Sequence, residues 1–457
     1  MVTIELVYDR GTIILKPTAG IEVPRFFKFD RRVNVFRAFA LHYLDALDFF
    51  KKRGYKVADY VLKPIEGNLT VIRKPKLRDY QREALKAWLK AGSKGVIILP
   101  TGSGKTIVAL AAMMYHKCPT LIVVPTLELM DQWESKIRKF FKTDIGRYGG
   151  GKKKLGFVTI STYDSAYINA EILGNKFKLL IFDEVHHLPS SGYRQIAELN
   201  AALYRLGLTA TPEREDGLHV NFPYLIGKIV YYKGVKELSG EYLANFEVIT
   251  IKVKLKDEER RKYRLLVKKY KDYLRRHGIR IRSLKDFESI IMKSGLDKEA
   301  REALLAWREA RKIAFNASEK MRVLRELLAK HRGDKIIIFT ENTEMVRRIS
   351  EELLIPEITY KTDDNERKAV LEGFRSGKFR AIVTSRVLEE GVDVPDANIA
   401  IILSGTASKR EFIQRLGRVL RPKDRRAILY ELITTRTKET KISRKRKKAL
   451  GDVNVTL

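Results

Sequence analysis

The chain of 457 residues has a single cysteine, Cys118, and only four glutamines. One thiol closes no intrachain disulfide and builds no cysteine-cluster metal site, which excludes both a disulfide-stapled secreted domain and a zinc ribbon. Cys118 stands at the head of an apolar run, in Lys117-Cys118-Pro119-Thr120, so it is expected to be a buried structural thiol. No apolar stretch approaches the roughly 18 residues of a membrane-spanning helix. Residues 1–10 alternate apolar and polar side chains and show no secretory-signal core, so a cytoplasmic setting is expected. Acidic residues are scarce beside basic ones: 56 Asp and Glu face 90 Lys and Arg, a formal charge of +34. Solubility needs only about 2–8 charges on a small domain. The excess therefore points to a polyanion, and to nucleic acid rather than an anionic membrane, because no amphipathic anchor stands out.

Length allows roughly three domains. Residues 1–70 read as a small α+β module. Ile4, Leu6, Ile13 and Leu15 alternate around an Asp9-Arg10-Gly11 turn, and Phe39, Tyr43, Leu47 and Phe50 follow at helical spacing. Residues 71–240 alternate α and β, with strands expected at 95–99, 120–124, 156–160, 179–182 and 206–209. That rhythm predicts a doubly wound parallel sheet with its ligand beyond the carboxyl ends of the strands. A second α/β domain occupies 241–457, with strands expected at 335–340, 358–361, 381–384, 399–403 and 427–432. A basic helical insertion interrupts it over about 252–315. Residues 252–282 alone hold fourteen Lys or Arg against four Asp or Glu, a one-sided charge suited to gripping phosphates. Lys268 and Lys269 are candidate contacts on it. The basic tail, 436–457, contains Arg444-Lys445-Arg446-Lys447-Lys448 and is expected to be disordered when free.

The chemistry concentrates in two stretches of the first α/β domain. In Ile97-Ile98-Leu99-Pro100-Thr101-Gly102-Ser103-Gly104-Lys105-Thr106, a buried strand gives way to a glycine-rich turn and a helix start. Gly102 and Gly104 let backbone N–H groups converge on phosphate oxygens, Lys105 brings a point charge, and the Thr106 hydroxyl suits Mg²⁺. Leu99 stands where the general P-loop has its first glycine. Leu179-Leu180-Ile181-Phe182-Asp183-Glu184-Val185-His186-His187 is an apolar strand ending in two carboxylates, Asp183 for the metal and Glu184 to activate water. In the second domain, Gln414-Arg415-Leu416-Gly417-Arg418-Val419-Leu420-Arg421 sets Arg418 and Arg421 one helical turn apart. Their guanidinium groups could stabilise charge on a transferring phosphoryl group.

Together these motifs resemble a superfamily-two helicase core of two RecA-like domains, and more closely the compact archaeal type of the XPB family of DNA-repair and transcription helicases. The resemblance implies that Gln81 and Arg78, within Leu77-Arg78-Asp79-Tyr80-Gln81, read the adenine nucleotide, and that Thr101–Thr106 hold its phosphates. Asp183 to His186 matches the DExH motif. Gly207-Leu208-Thr209-Ala210-Thr211-Pro212 resembles motif III, so that His186, Thr209 and Thr211 would couple hydrolysis to DNA. Pro125 and Thr126, Ser161 and Thr162, and Thr384 would contact the tracked strand. Phe339-Thr340-Glu341 resembles motif IV. Thr384 to Asp393 resembles motif V, with Gly391 and Asp393 near nucleotide, and Gln414 to Arg421 resembles motif VI. Arg214-Glu215-Asp216 is similar to that family's strand-separation loop. The N-terminal module sits where the family has its damage-recognition domain, and the basic helices sit where it has a thumb-like insertion.

The implied activity is an ATP- and Mg²⁺-dependent DNA helicase or translocase of 3′–5′ polarity. It would act on forked, bubble or damaged duplex DNA in nucleotide-excision repair and promoter opening, beside a structure-specific nuclease and associated with the nucleoid. The alternatives are a duplex DNA translocase that leaves the strands paired, an RNA helicase, and an ATP-switched DNA-binding assembly protein that activates a nuclease.

Overall fold

A computed structural model describes residues 3–16, 20–214, 216–238, 246–281, 284–385, 397–405, 427–450 and 455–456. The chain folds as two compact units, the first built from Met1–Leu238.

The first unit opens with the module expected from the alternating pattern. β1 (Thr3–Asp9) and β2 (Thr12–Leu15) form a hairpin turned at Arg10 and Gly11, both with positive φ. Together with β3 (Lys28–Asp30), β4 (Val35–Phe39) and β5 (Lys56–Tyr60) they form a five-stranded sheet in the order β3-β4-β2-β1-β5. Helix α1 (Tyr43–Lys52) covers it with Tyr43, Ala46 and Phe50. The module is docked onto the α/β domain: Ala201 shares its core, and the Tyr8 hydroxyl donates to the Glu171 and Leu199 carbonyls at 2.7 and 3.1 Å.

A connector carrying β6 (Thr70–Val71) leads to α2 (Asp79–Lys90) and β7 (Lys94–Ile98). Next come α3 (Lys105–His116), β8 (Thr120–Val124), α4 (Leu127–Phe140) and β9 (Phe141–Lys142), which pairs with β6. The remaining strands of this unit are β10 (Ile145–Gly149), β11 (Lys152–Lys154), β12 (Val158–Thr162), β13 (Leu179–Asp183), β14 (Tyr204–Thr209) and β15 (Ile229–Tyr232). The eight-stranded sheet runs β11-β10-β12-β8-β13-β14-β7-β15 and is parallel apart from the β10–β11 pair. β8, β12 and β13 are buried at every residue, as strands covered on both faces must be. Each Leu, Ile or Phe so buried contributes about 1.5–3 kcal/mol relative to exposure. The crossovers place the carboxyl ends of β7, β8, β12, β13 and β14 at one rim, which carries the motif residues.

The second unit holds a parallel sheet in the order β18-β19-β17-β20-β21-β16-β22. Its strands are β16 (Phe246–Val253), β17 (Ile336–Phe339), β18 (Glu357–Ile358), β19 (Ala381–Thr384), β20 (Ile399–Ile402), β21 (Ala427–Thr434) and β22 (Val455–Thr456). Between β16 and β17 lie the helices Asp257–Arg276, Leu284–Lys293, Lys298–Phe315 and Ser318–Lys330. The Asp297 side chain caps the third by accepting from the Glu299 N–H at 2.8 Å. Lys252 and Val253, placed in the insertion by sequence, belong to β16 instead. Val253 continues the alternation of Ile249 and Ile251, which pack with it in one core, and the helices begin only at Asp257.

The tail is a second departure from expectation. Part of the tail expected to be disordered is the helix Glu439–Leu450. Its N-terminal end is anchored to the core of the unit. Buried Lys320 bonds both Glu439 carboxylate oxygens at 2.8 Å, and the Ser443 hydroxyl donates to Glu431 at 2.7 Å.

Candidate functional site

Gly102 and Gly104 take φ of 82° and 80°, the left-handed region that lets the loop curl back before α3 begins. A Cβ on Gly104 would lie 2.7 Å from Gln81 Nε2, so any larger residue there, besides straining φ, would push the Gln81 amide off the Ser103 carbonyl. The loop is held from below by α2. Ser103 is fully buried, and its carbonyl accepts from the Tyr80 hydroxyl at 2.5 Å and Gln81 Nε2 at 2.8 Å. Gln81 Oε1 accepts from the Arg78 N–H at 3.0 Å. Gln81, expected on the adenine, thus has its amide engaged with the phosphate loop and with Arg78. Lys105 points back along the loop, Nζ donating to the Leu99 carbonyl at 3.3 Å. The Thr101 hydroxyl is buried, with no hydrogen-bond partner among the described residues.

At the end of β13, Asp183 is buried and both its oxygens accept, Oδ1 from the Glu184 N–H at 3.0 Å and Oδ2 from the Trp133 indole at 2.9 Å. Glu184 has φ of 47°, a conformation that costs a non-glycine residue of order 1–3 kcal/mol and persists where the surroundings enforce it. It turns the side chain toward β14, where Oε2 lies 3.5 Å from both Thr209 Oγ1 and His186 Nδ1. His186 Nδ1 is 3.1 Å from Thr209 Oγ1, and that hydroxyl donates to the Thr211 carbonyl at 3.0 Å. The two motifs therefore share one hydrogen-bonded cluster. Arg214 adds to it, donating to the His186 carbonyl at 2.5 Å and forking onto both oxygens of Asp216 at 2.9 and 2.6 Å. That fork holds the Asp216 carboxyl down at about 2.

Sequence reasoning missed two side chains of α4. Trp133 reaches Asp183, and Lys136 Nζ lies 3.3 Å from Thr106 Oγ1, so one helix touches both residues suited to a metal. The signal was available: Trp133 and Lys136 are three apart and share a helix face after Pro125-Thr126. The donor set suits Mg²⁺, a hard cation that takes carboxylate and hydroxyl oxygens, together with ATP phosphates at the loop.

The expected strand-contact residues are placed unevenly. Thr126 and Thr162 are helix N-caps, accepting from Leu129 and Ser165 N–H groups at 3.3 Å each. Pro125 directly precedes the first cap. Ser161 is fully buried and its hydroxyl donates to the Tyr148 carbonyl, so it acts by holding β12 rather than by offering a side chain. Thr384 is likewise buried in the second unit, bonded to the Ser385 carbonyl. Lys268 is exposed on the helix Asp257–Arg276, and Lys269 pairs with Glu302 at 2.8 Å. Glu215, Gly391, Asp393, Gln414, Arg418 and Arg421 lie outside the described residues.

Two parallel α/β units, a P-loop and a DExH strand end joined to a motif III strand define a superfamily-two helicase core. Two solved structures share the fold. They are the Pyrococcus furiosus Hef helicase domain (TM-score 0.54, 20% identity, 81% of this chain and 98% of that one) and S. cerevisiae Dbp5 bound to RNA and ADP BeF3 (TM-score 0.56, 16% identity, 83% and 89%). Residues 6–61 match the XPB helicase damage recognition domain, 74–214 the type III restriction enzyme res subunit, and 302–454 the ERCC3/RAD25/XPB C-terminal helicase. The chain is 49% identical over 420 residues to the DNA 3'-5' translocase XPB2 of Sulfurisphaera tokodaii, covering 92% of this chain and 95% of the relative. It is 30% identical over 391 residues to the DNA 3'-5' helicase XPB of Mycobacterium tuberculosis, covering 82% of this chain and 64% of that protein. The chain belongs to the XPB family. Among the described residues no helix is long and apolar enough to cross a membrane.

Proposed function

We propose that this chain hydrolyses ATP to move 3′–5′ along DNA and separate its strands, in DNA repair and promoter opening. The observation that carries the reading is the continuous hydrogen-bonded path in the first unit from Asp183 and Glu184 through Thr209 and His186 to Arg214. A change at the phosphate end of that path is felt at the loop that would divide the strands. Thr101–Thr106 cradle the phosphates and Lys105 leaves the Leu99 carbonyl for them. Glu184 orients the attacking water and takes its proton. Mg²⁺ held by Thr106 and Asp183 would neutralise phosphate charge. Gln81 and Arg78 set the adenine end. Gly391, Asp393, Gln414, Arg418 and Arg421 are further proposed nucleotide contacts, the arginines stabilising the transferring phosphoryl group.

Pro125, Thr126, Ser161, Thr162 and Thr384 are proposed to serve contacts to the tracked strand, Ser161 and Thr384 by holding the backbone of their strands, and Lys268 and Lys269 to contribute charge from the helical insertion. Arg214, Glu215 and Asp216 form the separating loop, and a structure-specific nuclease is the proposed partner. Backbone contacts suit an enzyme that must tolerate any sequence. The S. tokodaii relative is named a translocase, which favours as second reading a duplex translocase that leaves the strands paired. A forked duplex with one labelled strand tests the proposal: ATP-dependent release of that strand, accelerated by the nuclease, is expected. Hydrolysis without release selects the second reading.

A further inference from the structure

The second unit carries an open groove of about 640 Å³ between β16 and the helix Ser318–Lys330, lined in part by the start of the basic 252–282 stretch and separate from the P-loop and DExH residues, which belong to the first unit. One wall is a strand edge. β16 pairs along its whole length with β21 on one side, whereas on the other side, among the described residues, it pairs with β22 at Val248 and Ile249 alone. Val253's carbonyl accepts from the Thr435 N–H at 2.8 Å and so faces β21. Alternation along the strand then turns the backbone N–H and C=O of Lys252 and Lys254 toward the groove. The opposite wall is a helix whose Val323 and Leu327 pack with Val253 in one core, giving the slot an apolar base. Its rim is basic. Arg322 is engaged by Glu319 and Glu326, while Lys252, Lys254, Lys256 and Lys330 are exposed and form no ion pair among the described residues.

We propose that this groove docks an extended, acidic segment of a partner protein, which adds to β16 as a further strand. An open strand edge beside a helix supplies main-chain hydrogen bonds along the peptide and pockets for alternate side chains, and the free lysines select acidic ones. A nucleic acid fits less well: it would bring phosphates against an apolar base and two glutamates and leave the strand's N–H and C=O groups unpaired. The proposal does not depend on the nucleotide site.

The probe is a fluorescein-labelled synthetic peptide of alternating valine and glutamate, titrated with the full chain and read by anisotropy. Binding with Kd of about 10 µM is expected, weakening with salt, with no binding of the valine–lysine counterpart. Lys252→Pro removes one groove-facing N–H and leaves the β21 ladder, so affinity should fall at least about tenfold while thermal melting holds. The double variant Lys252→Glu/Lys330→Glu changes only exposed side chains and should weaken binding at least as much, which keeps the test alive if the proline disturbs folding. Absence of binding up to about 100 µM, or affinity unchanged within about twofold in both variants, overturns the proposal. So does displacement of the peptide by single-stranded DNA that binds more tightly and is weakened by the same charge reversals. That result would assign the groove to nucleic acid.

Discussion

Trp133→Phe isolates one atom of the nucleotide site. Trp133 is 1% exposed, and phenylalanine keeps most of its packing while removing the indole N–H that reaches Asp183 Oδ2 at 2.9 Å. A hydrogen bond to a carboxylate contributes about 1.5–3 kcal/mol. Not all of that is lost to metal binding, because Oδ1 is still held by the Glu184 N–H at 3.0 Å. Deleting a group that supports a metal-binding side chain typically costs about 10–100-fold in metal affinity. The Mg²⁺ concentration giving half-maximal ATP hydrolysis should therefore rise about tenfold or more, measured by Mg²⁺ titration at saturating ATP and DNA. Nucleotide binding without divalent cation, followed with a fluorescent ATP analogue, should be unchanged. The smaller ring also leaves a cavity, so a modest fall in Tm is expected. A half-saturating Mg²⁺ within about twofold of the parent, with Tm lowered, would make Trp133 a packing residue with no part in holding Asp183 for the metal.

Arg214→Ala should slow fork unwinding more than ATP turnover, yet lower turnover as well, because the guanidinium ties Asp216 to the His186 carbonyl. Equal losses in both assays would place the residue in coupling rather than strand separation. Arg205, buried in the first unit, donates to the Ala197, Asn200 and Leu225 carbonyls, and burial pulls its guanidinium down to about 10 while Asp45 of the N-terminal module opposes the shift. Arg205→Ala strands those carbonyls and should cost about 3 kcal/mol, a Tm fall of about 6–12 °C by calorimetry. An unchanged Tm would mean that water replaces the side chain. Burial raises the Cys118 thiol from 9.0 to about 11, so thiolate is scarce at pH 8 and appears only as pH climbs toward 11. Native alkylation at pH 8 should run at least about 100-fold slower than in denaturant, and equal rates would show the site open.

The fold was legible where burial is two-sided. Thr120–Val124 and Ala381–Thr384 are continuous β-branched or apolar runs, and both are strands over those residues. Edge and interrupted strands were not. Ile145–Gly149 is broken by Gly146 and Arg147, and Ile229–Tyr232 is half exposed, so neither shows the apolar run that marks a central strand. The helix at Glu439–Leu450 is held at its start by Lys320, 119 positions away, which no local pattern encodes. At the site, the phosphate loop and the DExH carboxylates could be read because backbone chemistry fixes their spacing. The engagement of Gln81 with Ser103, and of α4 with Thr106 and Asp183, arises from helices packing onto the rim of the sheet and had to be seen in three dimensions.

If ATP hydrolysis at this loop is coupled to DNA, turnover of the chain and of Lys105→Ala, each alone, with forked DNA and with RNA of matching sequence, should separate the two nucleic acids. Strong stimulation by forked DNA is expected, with less by RNA, and a loss of at least about 100-fold in Lys105→Ala while DNA binding by anisotropy persists. Turnover retained in Lys105→Ala, or stimulation by RNA alone, would mean that the loop does not drive a DNA-coupled reaction.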